Sequence, residues 1–155
     1  MTELNIVKGY EDGSFKPNNP ITRAEFATMA SQFDKLSGGS LNFTDVNTSH
    51  WAYSYIASAY NKGWISGYPD GSFKPEKSIS REEVVSITNR MLDRKCDLDF
   101  VKKNKSILIM FKDNPETSWS YGDIIEATNG HEYHRKNGSS IEEAWERLNH
   151  KEFHV

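Results

Sequence analysis

Large apolar residues fall at helical intervals in several short stretches of the chain. Phe26, Met29, Ala30 and Phe33 keep that spacing, as do Val84, Ile87, Thr88 and Met91, which predicts helices over 22–36 and 80–94. Ala52, Ile56, Ala59 and Tyr60 trace a third helix that stops at Gly63, and Ile124, Ile125, Ala127 and Thr128 trace its counterpart. A last short helix is expected over 141–148. Ser37-Gly38-Gly39-Ser40 reads as a flexible connection, while Asp12-Gly13 and Asp70-Gly71 signal turns with no alternating strand pattern on both sides. The pattern predicts a mainly α, nearly all-helical fold.

The pattern also repeats. Gly9-Tyr10-Glu11-Asp12-Gly13-Ser14-Phe15-Lys16-Pro17 returns 58 residues later as Gly67-Tyr68-Pro69-Asp70-Gly71-Ser72-Phe73-Lys74-Pro75. The match runs on without a gap, with Ile21-Thr22-Arg23-Ala24-Glu25 over Ile79-Ser80-Arg81-Glu82-Glu83. A second element, Phe43-Thr44-Asp45 followed by Trp51-Ala52-Tyr53, returns 68 residues later as Phe111-Lys112-Asp113 followed by Trp119-Ser120-Tyr121. In this register the chain opens at the middle of a repeat, at Ile6-Val7, and the last copy has a front half but no DGSFKP loop. The expected units are a partial one over 1–37, a complete one over 41–95, a linker or insertion over 96–110, and a degenerate one with a divergent tail over 111–155.

Composition narrows the function. The 155 residues are 36% hydrophobic and 12% aromatic with a mean hydropathy of -0.72, enough for a small core built on large side chains. Nineteen basic against 22 acidic residues leave a net charge of -3 and no basic stripe, which argues against nucleic acid. The longest apolar run, Ile107 to Phe111, is far short of the ~20 residues that span a bilayer, and Met1-Thr2-Glu3-Leu4 lacks a secretion signal. Either the protein stays in the cytosol or a signal lay upstream. Cys96 stands alone, with no CxxC companion, and reads as a buried or bystander thiol.

Most repeated positions have structural work. Thr22 caps a helix, Glu25 completes a capping box, and Ile21 with Phe26 forms a hydrophobic staple; Ser80, Glu83, Ile79 and Val84 repeat the set. Arg23 and Arg81 are left over, since a cation in the first helical turn opposes the helix dipole. Free amides at the helix start and a forked guanidinium would seat a carboxylate; the alternative is a structural ion pair with Asp12 or Asp70. Phe15 and Phe73 are expected to plug their loops onto the core. Trp51 and Trp119 are expected to anchor helix starts, and Tyr10 and Tyr68 to pack, unless they serve as sugar platforms.

The order Phe-x-Asp, Trp, Gly, Gly-Tyr-x-Asp-Gly-x-Phe-x-Pro, Ile-Thr-Arg-Ala-Glu resembles the S-layer homology (SLH) domain, closely over Ile6 to Phe33 and Phe43 to Leu92 and more loosely over Phe111 to Asn129. The resemblance implies tandem helix-loop-helix units packed as a pseudo-threefold helical bundle that holds a bacterial surface protein on the cell wall. It also implies a secondary cell-wall polysaccharide bearing pyruvate ketals, whose carboxylate meets the motif arginine in grooves between units. Carried onto this sequence, the implied ligand-binding residues are Arg23, Arg81, Thr22, Ser80, Tyr10, Tyr68, Gly67 and Asp70. Ser140-Ile141-Glu142-Glu143 keeps the capping residues but has Ile141 where the arginine belongs, so two grooves at most are expected. The localisation implied is extracellular, at the cell wall or S-layer.

Three rival readings remain. Catalysis is disfavoured because the noticeable acids recur at turn and cap positions, Asp12/Asp70, Glu25/Glu83 and Asp45/Asp113. A metal site at His131 and His134, or at His150 and His154, has permissive spacing, but these read as surface histidines on a loop and terminus, so no metal or other cofactor is expected. An EF-hand is excluded because Arg81 takes the twelfth position counted from Asp70. The last rival is assembly: with its front half missing, the first unit would expose Phe26, Met29 and Phe33, and a homo-oligomer or domain swap would cover them.

Overall fold

A computed structural model describes residues 10–139 and 141–149. Five α-helices, a short 3-10 helix at Lys105–Ile107 and a two-stranded antiparallel sheet make up the described secondary structure, so the fold is mainly α: α1 Arg23–Ser31, α2 Tyr53–Asn61, α3 Arg81–Met91, α4 Leu98–Asn104, α5 Tyr121–Thr128, β1 His131–Arg135 and β2 Glu143–Leu148. The chain divides into two compact units, Met1–Ser80 and Arg81–Val155.

In the first unit α1 packs against α2. The contact face is made of small residues, Ala24, Ala27 and Ala30 on α1 and Ala57 and Ala59 beside Ile56 on α2, all at most 2% exposed. Small side chains let two helix backbones approach closely. Of the three large residues that the assembly reading expects to be exposed, Phe33 is, at 57%, while Phe26 and Met29 are half-buried. α1 begins as its sequence predicts, with the Thr22 hydroxyl accepting from the Glu25 amide and the Glu25 carboxylate from the Thr22 amide. The expected flexible connection is held on α2 instead: the Ser37 amide donates to Ser58 Oγ, Asn61 Nδ2 to the Gly38 carbonyl, and the Leu41 amide to Tyr53 Oη.

The repeated loops share one backbone. Gly13 and Gly71 have φ of 78° and 80°, and Lys16 and Lys74, without glycine's freedom, also lie in the left-handed region at 52° and 57°. Asp12 and Asp70 each accept from the amide and hydroxyl of the serine two residues on, which holds both carboxyls below their ordinary range. Each also pairs with the lysine four residues later, at 3.5 and 3.4 Å. The copies differ in burial: Phe73 is 1% exposed and packs on Phe43, whereas Phe15, expected to plug in likewise, is 62% exposed.

The second unit packs α3 on α5 and gathers Val101, Leu108, Tyr121, Ile125 and Trp145 into a core edged by Cys96, Phe100 and Leu148. Val101 is fully buried, so the segment expected as an insertion supplies part of this core through α4. Asp97 caps α4 by accepting from the Asp99 and Phe100 amides, and it also accepts from the Trp145 amide of β2. Burial acts to raise the Asp97 carboxyl, but these amide donors prevail and hold it below its ordinary value. The neighbouring Cys96 thiol is pushed well up by burial and by surrounding carboxylates, so it is an unreactive thiol.

The helix expected over 141–148 is strand β2 instead, paired with β1 from His131↔Leu148 to Arg135↔Glu143 with a bulge after Glu132. A turn at Lys136-Asn137-Gly138-Ser139, closed by Ser139 N to the Lys136 carbonyl and with Gly138 at φ 73°, reverses the chain. Glu143 and Trp145, two residues apart, are therefore the buried side chains of β2. His131 is no surface histidine, since its side chain is completely covered, while His134 is exposed and pairs with Glu146. Trp51 and Trp119 also depart from expectation, at 58% and 59% exposed; Trp51 stacks on His50. Ile6-Val7, Gly9, Ser140, His150 and His154 lie outside the described residues.

Candidate functional site

The N-terminus of α1 and the loop from Ser66 to Lys77 form the candidate site, wholly within the first unit. Arg23, only 7% exposed, donates from Nε to the Phe73 carbonyl at 2.8 Å and from Nη2 to the Ser66 carbonyl at 2.9 Å. Its guanidinium lies 4.7 Å from the centre of the Tyr68 ring and 4.6 Å from that of Phe73. One arginine of the first repeat copy thus holds the loop of the second.

The amides expected to be open at the helix start are engaged. Arg23 N donates to the Lys77 carbonyl, Ala24 N to the Pro75 carbonyl, and Glu25 N to Thr22 Oγ1. The positive end of α1 is therefore closed by loop carbonyls, and attraction for an anion here comes from side chains. Two of these were not singled out in the sequence: Lys74 Nζ and Lys77 Nζ lie 4.4 and 5.0 Å from the Tyr68 ring centre, and Lys77 also donates to Tyr68 Oη at 3.0 Å. Both lysines are exposed. The sequence signal for Lys74 was the lysine inside the repeated Ser-Phe-Lys-Pro, which reads as a solvated turn residue until the loop folds back on Tyr68; Lys77 stands where the first copy has Asn19 and carries no repeat signal.

Gly67 is where it must be for the loop to close. A Cβ there would come within 2.3 Å of the Phe43 ring and 2.8 Å of the Ser72 carbonyl oxygen. Asp45 completes the loop's support, its two carboxylate oxygens accepting from the Phe73 and Lys74 amides at 2.8 Å each.

The remaining implied residues are spread more widely. Tyr10 donates its hydroxyl to Glu25 Oε1 at 3.1 Å, a contact that raises its phenol, and Lys16 lies 4.4 Å from its ring centre. Tyr10 thus repeats the tyrosine-lysine pairing of Tyr68, with its hydroxyl on the carboxylate of the Thr22–Glu25 capping box. Ser80 and Arg81 precede and open α3, and both are exposed, in contrast to buried Arg23. Glu126, His131 and Glu143 of the second unit form the one group of possible metal ligands among the described residues.

Comparison with known proteins matches the segments that carry the repeated loops. The S-layer homology domain family matches residues 1–27 and 42–85. A cellulosome-anchoring protein of Acetivibrio thermocellus is 40% identical over 139 residues, 86% of this chain and 30% of that protein. Cell surface glycoprotein 1 of the same organism is 39% identical over 85% of this chain and 6% of its own length. A surface layer protein of Brevibacillus choshinensis is 35% identical over 59% of this chain and 9% of its own length. The chain thus spans under a third of each of these relatives. Its Gly-Tyr-x-Asp-Gly-Ser-Phe-Lys-Pro loops, and the arginine that locks one of them, are those of the S-layer homology domain family, to which the chain belongs.

Proposed function

We propose that the chain is a noncatalytic anchoring module that attaches a larger protein to the cell wall by binding an anionic secondary wall polysaccharide. The observation that carries this reading is the gathering of Arg23, Lys74 and Lys77 around one face-forming aromatic, Tyr68. Three cations gathered over one aromatic ring make a locally positive surface that selects a sugar carrying a carboxylate, such as a pyruvate ketal. The names of the relatives, anchoring and surface layer proteins, suit a wall attachment role at the cell surface. Thr22, Tyr10, Gly67 and Asp70 belong to the same recognition surface in this reading, Gly67 and Asp70 by shaping the loop, and Ser80 and Arg81 at the start of α3 are further ligand contacts of their own. The tandem copies would pack about a pseudo-threefold axis.

Cosedimentation with purified sacculi tests the proposal, native wall against wall stripped of its secondary polymer by acid. Arg23 supports the loop, so the decisive variants are the exposed Lys74→Ala/Lys77→Ala pair and Arg81→Ala, with circular dichroism confirming the fold. Pelleting with native wall alone, weakened at least tenfold in the lysine pair, is the expected result. Pelleting with stripped wall to the same extent would overturn it.

A second reading rests on the exposed Phe33 and Leu36, at 57% and 52%. A homo-oligomer that buries them would show as a dimer in sedimentation velocity, lost in Phe33→Ser/Leu36→Ser.

A further inference from the structure

Three side chains of the second unit converge from α5, β1 and β2: Glu126, His131 and Glu143. Their ligand atoms lie within 4.8 Å of one another, and all three side chains are fully covered. The imidazole is oriented by Nδ1, which faces the Asn129 carbonyl oxygen at 2.8 Å. That oxygen can only accept, so Nδ1 carries the ring's hydrogen. Nε2 faces Glu143 Oε2 at 2.9 Å and Glu126 Oε1 at 3.5 Å, and without a second hydrogen on the ring it offers them only a lone pair. Acceptors so close repel unless positive charge lies between them.

The surroundings say what kind of charge fits. Glu143 gives Oε1 to Arg135 Nη1 at 3.3 Å, and its Oε2 also accepts from Trp145 Nε1 at 3.2 Å. Glu126 Oε1 forms an ion pair with Arg94 Nε at 2.8 Å, yet neither of the two buried Glu126 oxygens, Oε1 or Oε2, accepts a hydrogen bond. A proton on Nε2 would satisfy the histidine and Glu143 and leave Glu126 Oε2 unmet. A cation at the centre would serve all three groups at once.

We propose that Glu126, His131 and Glu143 form a binding site for one first-row divalent metal ion of the Zn2+ class, a structural clip that joins α5 to the β1–β2 hairpin. One imidazole nitrogen with carboxylate oxygens suits Zn2+ and its neighbours. Ca2+ and Mg2+ fit poorly, since they prefer shells of about six or more oxygens. The Asn129 carbonyl on Nδ1 and the arginines on Glu126 and Glu143 would be the outer contacts that hold such ligands in place. Arg94 and Arg135 already offset the two carboxylates, so the ion adds net positive charge and binds more weakly than it would to unpaired acids. Binding weakens as pH falls, because protons compete for the same three groups.

The test uses the full chain, stripped of metal with a chelator, in a His150→Gln/His154→Gln background that removes the tail histidines. Zn2+ is titrated by calorimetry and Co2+ by visible absorption, with Mg2+ and Ca2+ as comparisons. The expected result is one Zn2+ or Co2+ per chain, a d–d band of a nitrogen- and oxygen-ligated site, and a rise in Tm reversed by chelator. Trp145 fluorescence should change with the same stoichiometry, since its ring stacks on His131 at 3.8 Å. Uptake should be lost in His131→Gln and in Glu126→Gln. Should those variants misfold, the 15N resonance of His131 Nε2 in the parent chain decides, by shifting on Zn2+ addition at constant pH. No uptake by the folded chain, uptake that survives His131→Gln, or a resonance that answers to pH and not to Zn2+ would each overturn the proposal.

Discussion

Lys74 does two things that pull against each other. Its backbone sits at φ 57°, where a side chain costs roughly 1–2 kcal/mol, and its ammonium lies 4.4 Å from the Tyr68 ring centre in the candidate site. Lys74→Gly should relieve the strain and, after glycine's greater loss of freedom on folding, gain about 0.5–1 kcal/mol. Urea denaturation should show that gain while wall pelleting falls. Asp97 is the opposite case, held for structure alone by three amides. Asp97→Ala should cost about 2 kcal/mol at pH 7 through a lost cap and an unmet buried amide. Its folded carboxyl lies below the ordinary value, so the contribution is present above the unfolded pKa and disappears as pH falls through the folded one. The gap between parent and variant, measured by denaturation, should accordingly close in acid. Residues of this kind divide by what could be read in advance. Thr22 and Glu25 were legible because their bond spans three residues. The roles of Asp45, Lys77 and His131 were not, because each is set by a partner far away in the chain or by a reversal the local sequence does not display.

At the scale of elements, helix positions were readable, and so was most of the buried face of α2, where Ala52, Ile56 and Ala59 are all fully buried, whereas the buried face of α1 was read only in part. The periodic apolar residues located α1, α2, α3 and α5, but on α1 the buried residues are Ala24, Ala27 and Ala30, of which only Ala30 was in the predicted set with Phe26, Met29 and Phe33. A size-weighted reading picks the phenylalanines, whereas the close approach of α1 and α2 requires the alanines. Ala27→Leu should therefore cost about 1–3 kcal/mol by overpacking, while Phe33→Ser should change stability by less than about 0.5 kcal/mol; thermal melts of the two variants check the pair. The hairpin was missed for a related reason. Ile141-Glu142-Glu143-Ala144-Trp145 carries helix-forming residues, and the Asn137-Gly138 turn that makes it a strand also needs β1 to pair with. Local preference gave way to a partner strand and to the burial of Trp145.

For the whole molecule, the balance of -3 hides a local excess of cations beside Tyr68. Attraction between those exposed groups and a polyanion is screened over ~10 Å at 0.1 M salt. Pelleting with native wall should thus fall steadily between 0.05 and 0.5 M NaCl, both values set by the screening range. Salt-independent pelleting would mean that stacking and hydrogen bonds, not charge, hold the glycan.

The repeats in the sequence and the compact units of the fold are out of step. α1 comes from the back half of one copy and packs on α2 from the front half of the next; α3 and α5 stand in the same relation one copy later. Anyone moving this module onto another protein should therefore not cut where the repeat ends. A junction placed near residue 40, at the edge of the motif, would part α1 from the helix that covers its alanines and strip the Ser66–Lys77 loop of Arg23. A junction after Ser80 follows the seam between compact units and leaves both the helix pair and the arginine-locked loop intact.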